Sequence, residues 1–191
     1  MNKKNTPTQL RAIQTKNNIQ NVAFKLFLKN GYKKTNTSLI AKNSKVSIGI
    51  VYSYFNDKDE LLELWLNNLL ERFDDYLYNQ LKLRQYGVEL TMIMTNVLEK
   101  TSELFFSSPI IEERDNLRLK KMLNNFFDKI KKIFTKCCFE SMINIRHQME
   151  TTQTILSLFL AYNSELKQSS NLNINTLKQC YSKAICSLLD Y

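Results

Sequence analysis

The sequence predicts an all-α protein, and three observations carry that prediction. Only three glycines (Gly31, Gly49, Gly87) and two prolines (Pro7, Pro109) occur in 191 residues. A β-sandwich or barrel needs a turn residue roughly every dozen positions, and five cannot supply them. Clustered glycines are also missing, which excludes the phosphate-cradling loop and the dinucleotide fingerprint of α/β nucleotide-binding folds. Finally, apolar residues recur at helical spacing along most of the chain. With 43% hydrophobic and 24% charged residues, the chain has the balance of a globular protein with one good core or two small ones.

From Thr8 to Asn30 the series Ile19, Val22, Ala23, Leu26, Phe27 marks one apolar face of a helix, and Gly31 stands where a left-handed cap ends it. Thr37 is expected to cap a short helix from about Ser38 to Asn43. Ser47 is expected to cap a second one reaching Tyr54. Two short helices about three residues apart, after a longer supporting helix, form a helix-turn-helix arrangement. Asp57, with Glu60 three residues on, opens a long helix to about Arg84 that Gly87 stops. A helix is expected over 88–107, then proline at a first helical position in Ser108-Pro109. Another helix is expected over about 117–141, with a polar break at Arg146-His147-Gln148. Residues 150–168 carry Ile155, Leu156, Leu158, Phe159, Leu160 and Tyr162 around most of a helix, and 173–189 carry Leu177, Cys180, Tyr181, Ala184, Ile185, Leu188 and Leu189. Two such helices have more apolar surface than one chain readily covers, so a helix-pair dimer interface is expected there.

The excess of positive charge is confined to one end. Residues 1–58 hold eleven Lys/Arg against the single acid Asp57, whereas residues 59–191 hold 16 basic and 17 acidic side chains. A block this basic attracts a polyanion, nucleic acid or an anionic membrane surface. No apolar run reaches the ~18 residues of a membrane span. The N-terminus lacks the apolar stretch of a secretory signal, so a cytoplasmic address is expected. One histidine, His147, leaves no Ser-His-Asp triad unless through that residue, and no helical zinc pair. No enzyme, metal or cofactor is expected. The four cysteines, 137, 138, 180 and 186, form no framework and are expected to be reduced.

The segment from Ser47 to Tyr54 concentrates the functional signal. Val51 and Phe55, one turn apart, dock it with Val46 on the first helix, which turns Ile48, Gly49, Ile50, Tyr52, Ser53 and Tyr54 outward. Exposed isoleucines and tyrosines are poor solvent residues, and Gly49 costs ~1 kcal/mol of helix propensity against alanine. In a basic block, a recognition helix in a DNA major groove accounts for all of them. Thr37 and Ser47, at helix starts, suit phosphates. Gly49 lets the helix approach base edges, and Ile48 and Ile50 can read only thymine methyls. Tyr52, Tyr54 and Lys58 reach phosphate oxygens. The competing reading is a basic helical module that binds membrane surfaces or polyanions without sequence preference.

These residues resemble the N-terminal domain of TetR/AcrR transcriptional regulators over about residues 15–65: Ile19, Ala23, Leu26-Phe27, Gly31-Tyr32, Thr35, Thr37, Ile40-Ala41, Val46-Ser47, Gly49, Tyr52, Tyr54-Phe55, Lys58 and Leu61-Leu62 in order. Lys45 stands where glycine is usual in the turn, and Tyr54 where histidine is common. The resemblance implies a three-helix DNA-binding domain at 1–56 and a helical effector-binding and dimerisation domain at 57–191, about nine helices in all. It implies a homodimer through 150–168 and 173–189, an operator in double-stranded DNA, and a small-molecule effector bound among the middle helices. Carried over by motif, the DNA contacts are Thr37, Ser38, Ser47, Ile48, Gly49, Ile50, Tyr52, Tyr54 and Lys58. Candidate effector residues are Trp65, Phe73, Met92, Phe105, Phe106, Met122, Phe126, Phe127 and Tyr162. Glu99 or Glu103, if inside an apolar pocket, would suit a cationic lipophilic effector.

Overall fold

The computed structural model describes residues 7–106, 109–111, 113, 116–140, 143, 148–168 and 173–189, with the side chains of 7, 8, 105, 106, 111, 148, 149 and 168 left aside. Among these residues there are eight α-helices and no strand: α1 (Pro7–Asn30), α2 (Thr37–Ser44), α3 (Ile48–Tyr54), α4 (Lys58–Lys82), α5 (Leu90–Thr101), α6 (Leu117–Glu140), α7 (Gln148–Gln168) and α8 (Ile174–Leu189). A 3-10 turn, Leu83–Tyr86, extends α4 to Gly87, whose φ of 82° ends it. The helix expected over 88–107 is shorter. It begins at Leu90 and passes at Ser102 into a π turn to Phe106, followed by a 3-10 turn at Pro109–Ile111. His147, in the expected polar break, lies outside the described residues.

The chain divides into two compact units, Met1–Asn68 with Ser108–Lys120, and Leu69–Ser107 with Lys121–Tyr191. In the first, Ile19, Ala23 and Phe27 of α1 are fully buried, as the spacing predicts, and so are Ile40, Val51, Leu61 and Leu62. The Phe27 and Trp65 rings lie 6.1 Å apart. Fully burying one such apolar side chain is worth ~2 kcal/mol. Gly31 adopts φ 77° after α1, and its amide donates to Phe27 O at 3.0 Å. Thr35 is buried because its hydroxyl donates back to Gly31 O at 2.7 Å.

In the second unit α5 packs against α8, and α7 against α8. Ile93, Val97 and Leu98 of α5, Phe134 of α6, Ile155 and Phe159 of α7, and Ile185 and Leu189 of α8 are buried. Polar links set the helix register inside this core. Thr95 and Ser182 share a 2.8 Å hydrogen bond between α5 and α8, and the Tyr76 hydroxyl donates to Asn96 O at 3.2 Å. Cys137, Cys138 and Cys186 are buried, and Cys180 is exposed. Burial pushes the Cys137 and Cys138 thiols up to about 12, with the Asp74 carboxylate adding to the shift at Cys137. These two therefore stay protonated and inert.

Candidate nucleic-acid interface

The helix-turn-helix is set by its caps. Asn36, not Thr37, caps α2: its backbone is extended and its Oδ1 accepts the Leu39 N–H at 2.8 Å. Asparagine is at least as good a cap as threonine, so the helix starts one residue earlier than expected. Thr37 thereby becomes the first helical residue, and its hydroxyl lies 3.2 Å from the Tyr52 hydroxyl. The start of α2 and the outward side of α3 are thus brought together. At the far end of α2, Lys45 adopts φ 57°, and the amides of Lys45 and Val46 donate to Lys42 O and Ala41 O at 3.3 and 3.1 Å. This is a Schellman stop with lysine in place of glycine. The Asn18 side chain of α1 donates to Ser44 O at 2.9 Å and anchors the same end.

Ser47 caps α3 as expected, its Oγ accepting the Ile50 N–H at 3.3 Å. Val51 and Phe55 are buried, Val46 is half-buried, and the ammonium of Lys16 lies 5.7 Å from the Phe55 ring centre. Ile48, Ile50 and Tyr52 are 44, 40 and 52% exposed. Ser38, Ser47, Gly49 and Ser53 are exposed, and Tyr54 is half-buried. A Cβ added at Gly49 would meet nothing nearer than the Ser47 hydroxyl at 3.9 Å. The fold itself therefore gives no reason for glycine here.

Lys58 is placed differently from its neighbours. Its ammonium donates to Tyr32 O at 2.9 Å, lies 3.7 Å from the centre of the Tyr32 ring, and is half-buried, and the loss of solvent lowers its affinity for a proton. It holds α4 to the turn after α1.

The effector candidates fall in both units. Trp65 packs on Phe27 in the first unit. Phe73, Phe126 and Tyr162 are buried in the second, Met122 and Phe127 are half-buried, and Met92 is 60% exposed. Phe126 and Phe127 meet edge to face at 5.6 Å, as do Tyr162 and Tyr181. The side chains of Phe105 and Phe106 lie outside the described residues. Glu99 and Glu103 are exposed, the first paired with Lys178 and the second with Lys100 at 2.6 Å. A groove of about 690 Å³ lies instead along α6 and α7, lined by Asp128, Lys131, Lys132, Thr135, Lys136, Phe139 and Thr152.

Comparison with known proteins bears on this arrangement directly. The profile described as "Bacterial regulatory proteins, tetR family" matches residues 19–64, the span from α1 to the start of α4. The HTH-type transcriptional regulator QacR of Staphylococcus aureus is 30% identical over 136 residues, 62% of this chain and 68% of QacR. The chain belongs to the tetR family. A second relative, HbdR of Aromatoleum, is 37% identical over 76 residues, and the chain spans about a third of its length, 33%, and 40% of itself. Among solved structures, Salmonella enterica GusR superposes over 100% of both chains with a TM-score of 0.70 at 18% identity, a likeness of fold.

Sequence reading missed Asn36, Glu113 and Arg118. Asn36 is legible in the sequence, since asparagine, the better cap, stands next to Thr37. The other two contact the first unit from about 60 to 80 residues away in sequence, a distance across which no local pattern operates.

Proposed function

We propose that this regulator is a homodimeric repressor that occupies a palindromic operator and is released by a small apolar or amphipathic effector. Residues 1–56 read DNA, and 57–191 bind the effector and hold the dimer through α7 and α8. The supporting observation is Gly49. It lies mid-helix, costs ~1 kcal/mol there, and is not required by any neighbour in the fold. Flanked by exposed Ile48, Ile50 and Tyr52 in a block of eleven basic residues against one acid, it suits the close approach of base edges. Ser38, Ser47, Tyr52 and Tyr54 then serve the phosphates together with Thr37. Lys58 adds a charged contact to phosphate from the start of α4, where its ammonium now rests on Tyr32.

Selection of bound duplexes from a random pool tests this reading. A single two-fold symmetric sequence should emerge, bound at least ~10³-fold more tightly than random DNA at physiological salt. Replacing its thymines by uracil should weaken binding where Ile48 and Ile50 read methyl groups. Equal affinity for all duplexes would instead identify a polyanion binder without sequence preference.

A further inference from the structure

The chain enters the first unit a second time. Residues on both sides, 69–107 and 121–191, belong to the second unit, but 108–120 belong to the first. Within this segment the Pro109–Ile111 turn packs on α1, and Ile110 is buried. Glu113 Oε2 accepts the Lys33 N–H at 2.8 Å, and its Oε1 occupies the space a Cβ at Gly31 would need. Gly31 is glycine for its positive φ, and the Glu113 carboxylate fills the space beside it.

Arg118 completes the contact. Its Nε pairs with Asp59 Oδ2 at 2.6 Å, and its Nη2 reaches Asp57 Oδ2 at 3.4 Å. Both carboxylates divide their oxygens in the same way. Asp57 Oδ1 caps α4 by accepting the Glu60 N–H at 2.9 Å, and Asp59 Oδ1 accepts the Tyr32 hydroxyl. The guanidinium takes the oxygens that these bonds leave over. Asp59 is 7% exposed, so Arg118 also supplies the countercharge a buried carboxylate requires. Only Phe55 and Asn56 separate the last residue of α3 from Asp57, and Phe55 is buried. The direction of the first turn of α4 therefore fixes that of α3.

We propose that Arg118 is a positioning residue for DNA binding: by pairing with Asp57 and Asp59 it holds the start of α4, and through it α3, from a segment outside residues 1–56. The proposal rests on the DNA-reading function above.

The test compares full-length wild type, Arg118→Gln, Arg118→Lys and Asp57→Asn on a duplex selected by the wild type and on a random duplex, with folded fraction followed by circular dichroism. Arg118→Gln should weaken binding to the selected duplex roughly ten-fold. Binding to the random duplex, governed by phosphate attraction, should change about two-fold or less. Arg118→Lys should recover part of the loss, because an ammonium lacks the fork that spans two carboxylates. Asp57→Asn keeps a good cap and should weaken selective binding in the same direction, by less. Unchanged selectivity in Arg118→Gln, or an equal loss on both duplexes, overturns the proposal while leaving the DNA-reading function intact. Should Arg118→Gln fail to fold, wild-type affinity in Asp57→Asn overturns it. A wild type that selects no duplex removes the function and the proposal together.

Discussion

Lys45 holds φ 57° and ψ 39° in the turn between α2 and α3, where its Cβ crowds the backbone at a cost of ~1 kcal/mol or more. Glycine has no such crowding but loses more chain entropy on folding. The two effects oppose each other, and relief of strain is the larger at a left-handed position. Lys45→Gly should therefore raise the melting temperature by ~1–4 °C, whereas Lys45→Ala, which keeps the Cβ, should not. Parallel thermal melts decide it, and an equal response of the two variants would mean that the turn is unstrained. Gly49 obeys the opposite logic. Its φ is ordinary and its surroundings are open, so nothing in the fold penalises a side chain there. Lys58 holds contacts within the fold, to the Tyr32 carbonyl and ring, that its residue type alone does not reveal.

Caps decide the elements. Removing the Asn36 side chain leaves the Leu39 N–H without its 2.8 Å acceptor, and loss of such a cap costs ~1 kcal/mol. Asn36→Ala should speed hydrogen exchange at the Leu39 amide about five-fold, the rate equivalent of that energy. Thr37→Ala should leave that rate nearly unchanged, and a reversed order would return the cap to Thr37. This element shows what the sequence could disclose. Helix α1, with a periodic face and a terminal glycine, and α3, with serine before a clear apolar pair, were legible nearly to the residue because the signals are local. The start of α2 was ambiguous because Asn36, Thr37 and Ser38 are all competent caps in a row. The end of α5 was hidden because apolar residues continue through the π turn at Ser102–Phe106, so periodicity does not mark the change. Glu99 and Glu103 looked available for a ligand because their lysine partners depend on packing and local side-chain geometry: Lys178 lies on α8, and Lys100 reaches Glu103 across the start of that turn. The outward row of α3 was legible since Val51 and Phe55 fix which side is buried. The Arg118 pair was not, because its partners meet only in the folded unit.

At the scale of the whole molecule the question is what covers α7 and α8. Their inner faces are satisfied by α5 and by each other, through Ile155, Phe159, Ile185 and Leu189. Their outer faces carry short side chains at helical spacing, with Ser157, Ala161 and Ser164 exposed on α7, and Cys180 and Ser187 exposed beside half-buried Ala184 on α8. Half-buried Leu158, Leu160 and Leu188 flank these rows. Short side chains let helices approach closely, and leucines at the margin supply the apolar area that a lone chain leaves wet. A four-helix bundle between two copies meets both conditions. In the proposed homodimer on a palindromic operator, binding of one half-site makes binding of the second intramolecular. Ala161→Glu is the direct test. In an isolated chain a glutamate at this exposed helical position should change stability by about 0.5 kcal/mol or less. In a bundle it places two like charges near the two-fold axis without partners. Sedimentation should show wild type at twice the 22.5 kDa chain mass and the variant at the chain mass. The variant's affinity for a selected palindrome should fall at least ~10²-fold, since each copy must then bind its half-site alone. A variant that stays dimeric would move the interface off this face, and a wild type that sediments as a single chain would remove the geometric basis for a palindromic operator.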